Sequence, residues 1–353
     1  MEKRKMIDVH LHIEAWENEE ATLLDCFEKY KKEYGVSAVN INCIATFVST
    51  TCNNIMAAFY KMCNKNVYVH GGIDYYKVPV VEVYGDGLDF VTQHNELMEM
   101  GFDGIKMLEG KPNVHKHIGK NLNNEPFDQL FSAIEKNNTH LIFHVNDPKE
   151  FWEDGEGAQG LKDLGWFYGD GTFASHEEIY RQTEKVLEMH PNLKVTFAHF
   201  YFCGETPEKL EYLFSKYPNM GVDLTPGTEM YHSFEKNHDY YVKFFTKYAD
   251  RIMIGTDGTF PWPASAHGWC FDRVSRFIYT NDKMMAFNDS ILTGLGLPEE
   301  AAEKILHENF ERKVSKEPKP INKEALKKYI DKHWNLLKDD EKANIDRYAK
   351  LCL

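Results

Sequence analysis

Eight short apolar runs, each followed by a longer stretch with helical spacing, limit what this chain can fold into. The runs cover residues 6–12, 37–44, 67–73, 104–108, 140–145, 194–200, 220–225 and 251–257. Strands this short, alternating with helices, make βαβ units joined into a parallel sheet. Helix stop signals fall between them. Gly35 ends a pattern over 21–34 and Gly101 ends one over 88–100. Those over 177–189 and 208–216 stop before Pro191 and Pro218. Eight units predict an α/β fold closed as a (β/α)8 TIM barrel. A doubly wound open sheet is the alternative, but no GxGxxG follows the first run. A chain of 353 residues holds a barrel of about 250 residues with long βα loops. The barrel domain is expected over 1–316. Residues 317–321, Glu-Pro-Lys-Pro-Ile, read as a linker. The rest of 317–353 reads as a charged helical extension packing on the barrel or on a second subunit.

The βα segments after the fifth, seventh and eighth runs are long and rich in aromatics. Residues 146–175 hold Phe151, Trp152, Trp166, Phe167 and Tyr168, and residues 260–271 hold Trp262 and Trp269. Both follow the C-terminal ends of strands, where barrel active sites lie, and their aromatic content argues against disorder. Charge excludes some function classes. With 41 Lys+Arg against 55 Asp+Glu the net charge is −14, the wrong sign for a general nucleic-acid binder. No basic cluster suits an anionic membrane surface, and no apolar run approaches the roughly 20 residues of a membrane helix. The start, MEKRKMIDVHLH, shows no signal-peptide core. Seven cysteines without a CxxC pair do not form a disulfide framework and suit a reducing cytosol. The expectation is a cytoplasmic protein with a small-molecule substrate, no nucleic-acid or membrane partner, and room for a homo-oligomer.

The strongest chemical signal is Ile7-Asp-Val-His-Leu-His12. Alternate residues of a strand share a face, so His10 and His12 can reach one metal ion, with Asp8 on the same face and Ile7, Val9 and Leu11 toward the helices. Three polar side chains on an otherwise apolar strand are costly to bury without a function. Other runs end alike: Lys106 closes the fourth, His144 the fifth, His199 the sixth and Asp257 the eighth. In a closed barrel these ends converge, and several His with a carboxylate suit Zn²⁺ or a similar divalent ion. Other candidates carry blander readings. His115-Lys-His117 follows Lys111-Pro-Asn-Val rather than a strand. His307 reads as helix surface, His70 as a satisfied barrel residue, and Asp223 as a partner standing behind the ligands.

The order of these pieces resembles the amidohydrolase superfamily, most closely its amidohydrolase-related branch of metal-dependent hydrolases and nonoxidative decarboxylases. The matching segments are DVHLH, GFDGIKML, FHVND, HPNLKVTFAHF, YPNMGVDLT and DRIMIGTDG, with LPEEAAEKILHENFERKV as the closing helix and Asn309 in its usual place. The resemblance spans roughly residues 6–314. It implies His10, His12, His144 and Asp257 as metal ligands and His199 as base or proton shuttle. Two stretches depart from the pattern. His199-Phe-Tyr-Phe-Cys-Gly lacks the Gly-Gly often found after this His, and Gly258-Thr-Phe-Pro261 replaces the usual Tyr-Pro. In binuclear relatives a carbamylated Lys bridges two metals. Here Lys106 in GIK favours a free amine, and so one metal ion.

On this reading Asp257 and His199 carry the catalysis, while Lys106, Trp152, Tyr168 and Trp262 contact substrate. The expected reaction is hydrolysis through a metal-activated water. Zinc-dependent nonoxidative decarboxylation of an aromatic or enolic acid is the alternative, and a barrel keeping its metal as a structural staple is a third.

Overall fold

The computed structural model describes residues 4–13, 20–45, 48–75, 89–155, 157–227, 229–260, 264–287 and 290–352. Nine parallel strands form one curled sheet: β1 (Ile7–Ile13), β2 (Ala38–Asn42), β3 (Val67–Gly72), β4 (Gly104–Gly110), β5 (His140–Val145), β6 (Val195–Phe197), β7 (Met220–Asp223), β8 (Ile252–Met253) and β9 (Gly258–Phe260). They run in the order β8-β7-β6-β5-β4-β3-β2-β1-β9. β8 and β9 are two pieces of one eighth barrel strand. The first piece pairs with β7 and the second with β1. Between them Val9 N donates to Ile254 O at 3.0 Å and Asp257 N donates to His10 O at 2.9 Å, which closes the ring. The fold is the TIM barrel that the alternation predicts.

Helices cover the outside, and several begin on side-chain caps. Ser49 accepts from Cys52 N at the start of Thr50–Cys63, Asp89 from Thr92 N before Phe90–Glu99, and Ser175 from Glu178 N before His176–Met189. Each cap satisfies a backbone N–H that the first helical turn leaves without a partner. The barrel floor is sealed by the helical run Glu299–Glu303, Lys304–Glu308 and Asn309–Lys313. There Phe310 packs with Ile7, Val9, Tyr68 and Met253, and Asn309 Nδ2 donates to Ala249 O and Ile252 O. Above Phe310 a buried hydrogen-bond chain crosses the barrel, from Asn40 to His70, from His70 to His140 and from His140 to Thr196. His70 is thus a satisfied interior residue. His307 is partly buried rather than a surface residue, held between Glu303 and Glu311.

β1 corrects the face assignment made from simple alternation. Its register against β2 steps from Asp8↔Val39 to Leu11↔Ile41, so β1 carries one extra residue. Such a bulge shifts the side-chain phase by one. Ile7 and Val9 therefore join the floor cluster around Phe310, while Asp8 faces the helix Glu20–Tyr34 and bonds Tyr30 Oη at 2.7 Å. His10 and His12 still share the interior face. The bulge frees backbone groups, and side chains satisfy them. Val9 O accepts from Asn40 Nδ2 and Asn42 Nδ2, and His10 N donates to Asp8 Oδ1.

The C-terminal extension lies on the barrel as the helices Lys323–His333 and Asp339–Cys352. The segment before it passes over Gly101, where φ is +92° and a Cβ would stand 2.1 Å from Pro320 O. Tyr348 stacks on Phe59, and Glu341 accepts from Ser49 N and Oγ. Cys63 and Cys352 are joined in a disulfide, a single bridge rather than a framework, where a reducing cytosol was expected. Sequence spacing could not show it, because 289 residues separate the two and only tertiary packing of the last helix on Thr50–Cys63 brings them together. The floor is the place to test the closure. Phe310→Ala is expected to cost about 3–5 kcal/mol, read as a lower urea midpoint at unchanged m value.

Candidate metal centre and active site

The C-terminal strand ends open into a cavity of about 550 Å³, lined by His10, His12, Lys106, His144, His199 and Asp257 among others. Three of these form a tight donor group. The ligand atoms of His10, His12 and Asp257 all lie within 4.8 Å of one another. His12 Nε2 is 3.1 Å and His10 Nε2 3.6 Å from Asp257 Oδ1. Their other ring nitrogens are occupied: His10 Nδ1 bonds Asp223 Oδ2 at 2.8 Å and His12 Nδ1 bonds Asn42 O at 2.7 Å. A carbonyl and an ionised carboxylate only accept, so both Nδ1 atoms carry the proton and both Nε2 atoms keep a lone pair. That is the tautomer a metal ligand needs, fixed by partners behind the ring. The donor set fits one divalent cation.

The other predicted residues surround this group. Lys106 Nζ donates to His10 Nε2 at 2.9 Å. His144 lines the cavity but stands outside the three-donor cluster. Its Nε2 donates to Asn146 O at 2.9 Å, leaving Nδ1 as the lone-pair nitrogen. His199 lies beyond the end of β6, not within it. His199, Phe200, Tyr201 and Phe202 all take φ between 49° and 56°, and Phe202 stacks on the His199 ring. Asp257 sits in the break between β8 and β9 at φ 57°. Non-glycine residues pay about 1–2 kcal/mol each in this region, and such strain gathers at functional sites.

The aromatic wall differs in its members from the expected one. Phe151, Trp166 and Phe202 line the cavity, whereas Trp152 and Tyr168 do not. Trp152 Nε1 donates to Ala174 O, and buried Tyr168 donates to Asp147 Oδ2 at 2.7 Å. Trp262 lies outside the described residues. Residues 264–271, read as loop, belong to the helix Ala264–Tyr279. His115 is buried in Pro112–Ile118 against Gln182, away from the cavity. Sequence reasoning missed Lys111 and Asp147. Lys111 Nζ bonds both Asp147 oxygens at 2.7 Å, and Asp147 also meets His144 Nε2 at 3.3 Å. The signal was present as the ND of FHVND and the lysine five residues after Lys106.

Electrostatics keep His10 and His144 neutral. Burial, with Lys106 beside it, brings His10 down to about 4, and burial brings His144 down to about 3. Burial pushes Asp223 and Asp147 up, but His10 beside the first and Lys111 beside the second outweigh it, and both fall to about 2. Burial likewise raises Asp257, and its close contact with His12, with His199 nearby, outweighs it, so its carboxyl lies well below the usual range. Burial lowers Lys106 to about 8.

A model of the amidohydrolase family matches residues 74–312, more than half of the chain. The chain belongs to the amidohydrolase family. The matched stretch holds Lys106, His144, His199 and Asp257, and β1 with its two histidines precedes it. No curated protein matches the chain. Among solved structures it is similar to an uncharacterised TIM-barrel protein from Bordetella bronchiseptica, at 16% identity over 87% of this chain and 97% of the other, TM-score 0.51. It is also similar to 2,6-dihydroxybenzoate decarboxylase from Rhizobium, at 12% identity over 88% and 98%, TM-score 0.52. The IDCase of Metarhizium anisopliae matches at 12% identity over 88% and 96%, TM-score 0.52. At these identities the likeness is one of fold. Among the described residues, no helix is long and apolar enough to cross a membrane.

The lowered histidines set a pH dependence. In the unfolded chain they take up protons near 6.5, while in the fold they wait until about 4 and 3. Between those values the unfolded state binds more protons, so stability falls as pH drops from about 6.5 toward 4. Asp147 and Asp223 add a further loss below about 4. Thermal unfolding across pH 4–8 checks this. Asp8 and Glu109, which burial raises to about 7 and about 8, act in the opposite sense over this range, so the check is a comparison: His144→Gln should lose less of its midpoint between about pH 6.5 and 4 than the natural protein, and an equal loss contradicts the assignment.

Proposed function

We propose that the protein is a metal-dependent hydrolase acting on a small, carboxylate-bearing or cyclic substrate, with one divalent ion, Zn²⁺ first among candidates. The observation that carries this reading is the convergence of His10 Nε2, His12 Nε2 and Asp257 Oδ1, with both histidine tautomers fixed from behind. His144 is the fourth ligand by the family resemblance, through the Nδ1 that its bond to Asn146 O leaves free. When bound, a divalent ion supplies Lewis acidity that polarises a carbonyl and draws the pKa of a water toward about 7.

The chain's own groups do the rest. Asp257 is ionised, with a side chain 42% exposed toward the cavity, and takes the proton of the attacking water before passing it to the leaving group. His199 stands beside it, its Nδ1 tied to Thr225 O at 3.2 Å, which leaves Nε2 to shuttle a proton or steady developing negative charge. One lone pair on His10 cannot serve both Lys106 and a ligated ion. With an ion held on His10 Nε2, the Lys106 ammonium would be left free to bind a substrate carboxylate.

The aromatic walls favour a second reading, nonoxidative decarboxylation. Phe202 stacks on His199 at 25°, and Phe151 stacks on Trp166 at 11°, so the cavity offers flat faces to a planar acid. There Lys106 holds the carboxylate, and His199, or Asp257 once it has taken up a proton from solvent, protonates the carbon before CO₂ leaves.

Chelator-treated protein is expected to lose turnover and to regain it with one Zn²⁺ per chain. Asp257→Asn should lower turnover by about 10²–10⁴-fold while keeping its circular dichroism. A panel of lactones, amides and aromatic acids turned over in ¹⁸O-water separates the two chemistries. Label in the product supports hydrolysis, and unlabelled product with released CO₂ supports decarboxylation. Full activity in metal-free protein sinks both.

A further inference from the structure

Asp8 is fully buried on the outer side of β1, one bulge away from the cavity, and its carboxylate collects four donors. Oδ1 accepts from His10 N at 3.2 Å and from Thr256 N at 3.2 Å. Oδ2 accepts from Thr256 Oγ1 at 2.7 Å and from Tyr30 Oη at 2.7 Å. Thr256 immediately precedes Asp257, and its Oγ1 also accepts from Gly258 N at 3.1 Å. On the other side of the same backbone, His10 O accepts from Asp257 N at 2.9 Å. The result is a closed ring of hydrogen bonds that runs from Asp8 to His10, on to Asp257, back through Thr256 and into Asp8 again.

Both backbone segments in this ring are irregular. The His10 N–H has lost its ladder partner to the bulge, and Asp257 stands at positive φ in a broken strand. Regular sheet pairing cannot place either one. The close approach leaves no slack, because a Cβ on Gly255 would stand 2.6 Å from the His10 Cβ and 2.5 Å from Thr225 Oγ1. We infer that Asp8 is a positioning residue that locks the His10 and Asp257 backbones to each other and so sets the spacing of the donors they carry. It touches neither substrate nor ion, and Tyr30 extends the lock to the helix Glu20–Tyr34 outside the barrel. The inference rests on the reading of His10 and Asp257 as ion ligands.

The test compares Asp8→Ala, Asp8→Asn and Tyr30→Phe in the full chain, with Zn²⁺ titrated into metal-free protein by calorimetry and stability measured separately by urea. Asp8→Ala is expected to weaken Zn²⁺ binding about 10–100-fold. Asp8→Asn should fall between, because its amide keeps one acceptor oxygen and turns the other into a donor. Tyr30→Phe should lower stability while leaving Zn²⁺ affinity near that of the natural protein. Unchanged affinity in both Asp8 variants, with stability alone reduced, overturns the inference. If Asp8→Ala does not fold, Asp8→Asn and Thr256→Val decide it by the same readout. If the natural protein binds no Zn²⁺, the hydrolase reading fails, and the crystal structure of Asp8→Asn decides the inference. A His10 Nε2 to Asp257 Oδ1 separation widened from 3.6 Å supports it, and an unchanged one refutes it.

Discussion

A parallel barrel exists only if its last strand finds its first, and here that meeting is irregular on both sides. β1 bulges, and the eighth strand breaks between β8 and β9. The backbone bonds from Val9 to Ile254 and from Asp257 to His10 span the gap. A perfectly regular seam would close the ring equally well, but it would hold Asp257 in an ordinary extended conformation and keep His10 in step with Asp8. The irregular seam turns Ile7 and Val9 onto the floor below while His10 and His12 face the cavity above. Floor and site are thus built from one strand, and the shift of phase between them separates an apolar plug from a polar centre.

Much of the fold was legible because alternation of short apolar runs with helical stretches has few physical solutions. The gathering of His10, His12, Lys106, His144, His199 and Asp257 around one cavity was legible for a related reason: parallel strands of a closed sheet all end on the same side. What the sequence hid is what depends on backbone irregularity or on long-range packing. Alternation places Asp8 with His10, and only the register of β1 against β2 shows otherwise. The run 194–200 looks like continuous strand, yet the strand stops at Phe197 and the chain turns left-handed from His199. Trp152 and Tyr168 lie in a loop correctly read as long and aromatic, but which rings face inward is set by the turns within it. Lys111 and Asp147 come from different loops, and no local pattern pairs them.

The composition also looks different once the site is known. A net charge of −14 describes the surface. Inside the cavity His10 and His144 stay neutral, Lys111 offsets Asp147 at close range, and the His10 Nδ1–H donates to Asp223.

The left-handed turn after β6 has a consequence for how this site can vary. Its three aromatic side chains leave in three directions. Phe200 enters the helical layer against Phe234 and Phe245, Tyr201 packs on Phe197 and Tyr180, and Phe202 covers His199 and His144. A glycine pair would take the same backbone shape cheaply, as a hinge without anchors. Here the shape is bought by packing, so the orientation of His199 is a mechanical output of the outer helices. Sequence drift at Phe234 or Phe245, far from the cavity, acts on the imidazole through a rigid lever of rings rather than through the chemistry of its neighbours.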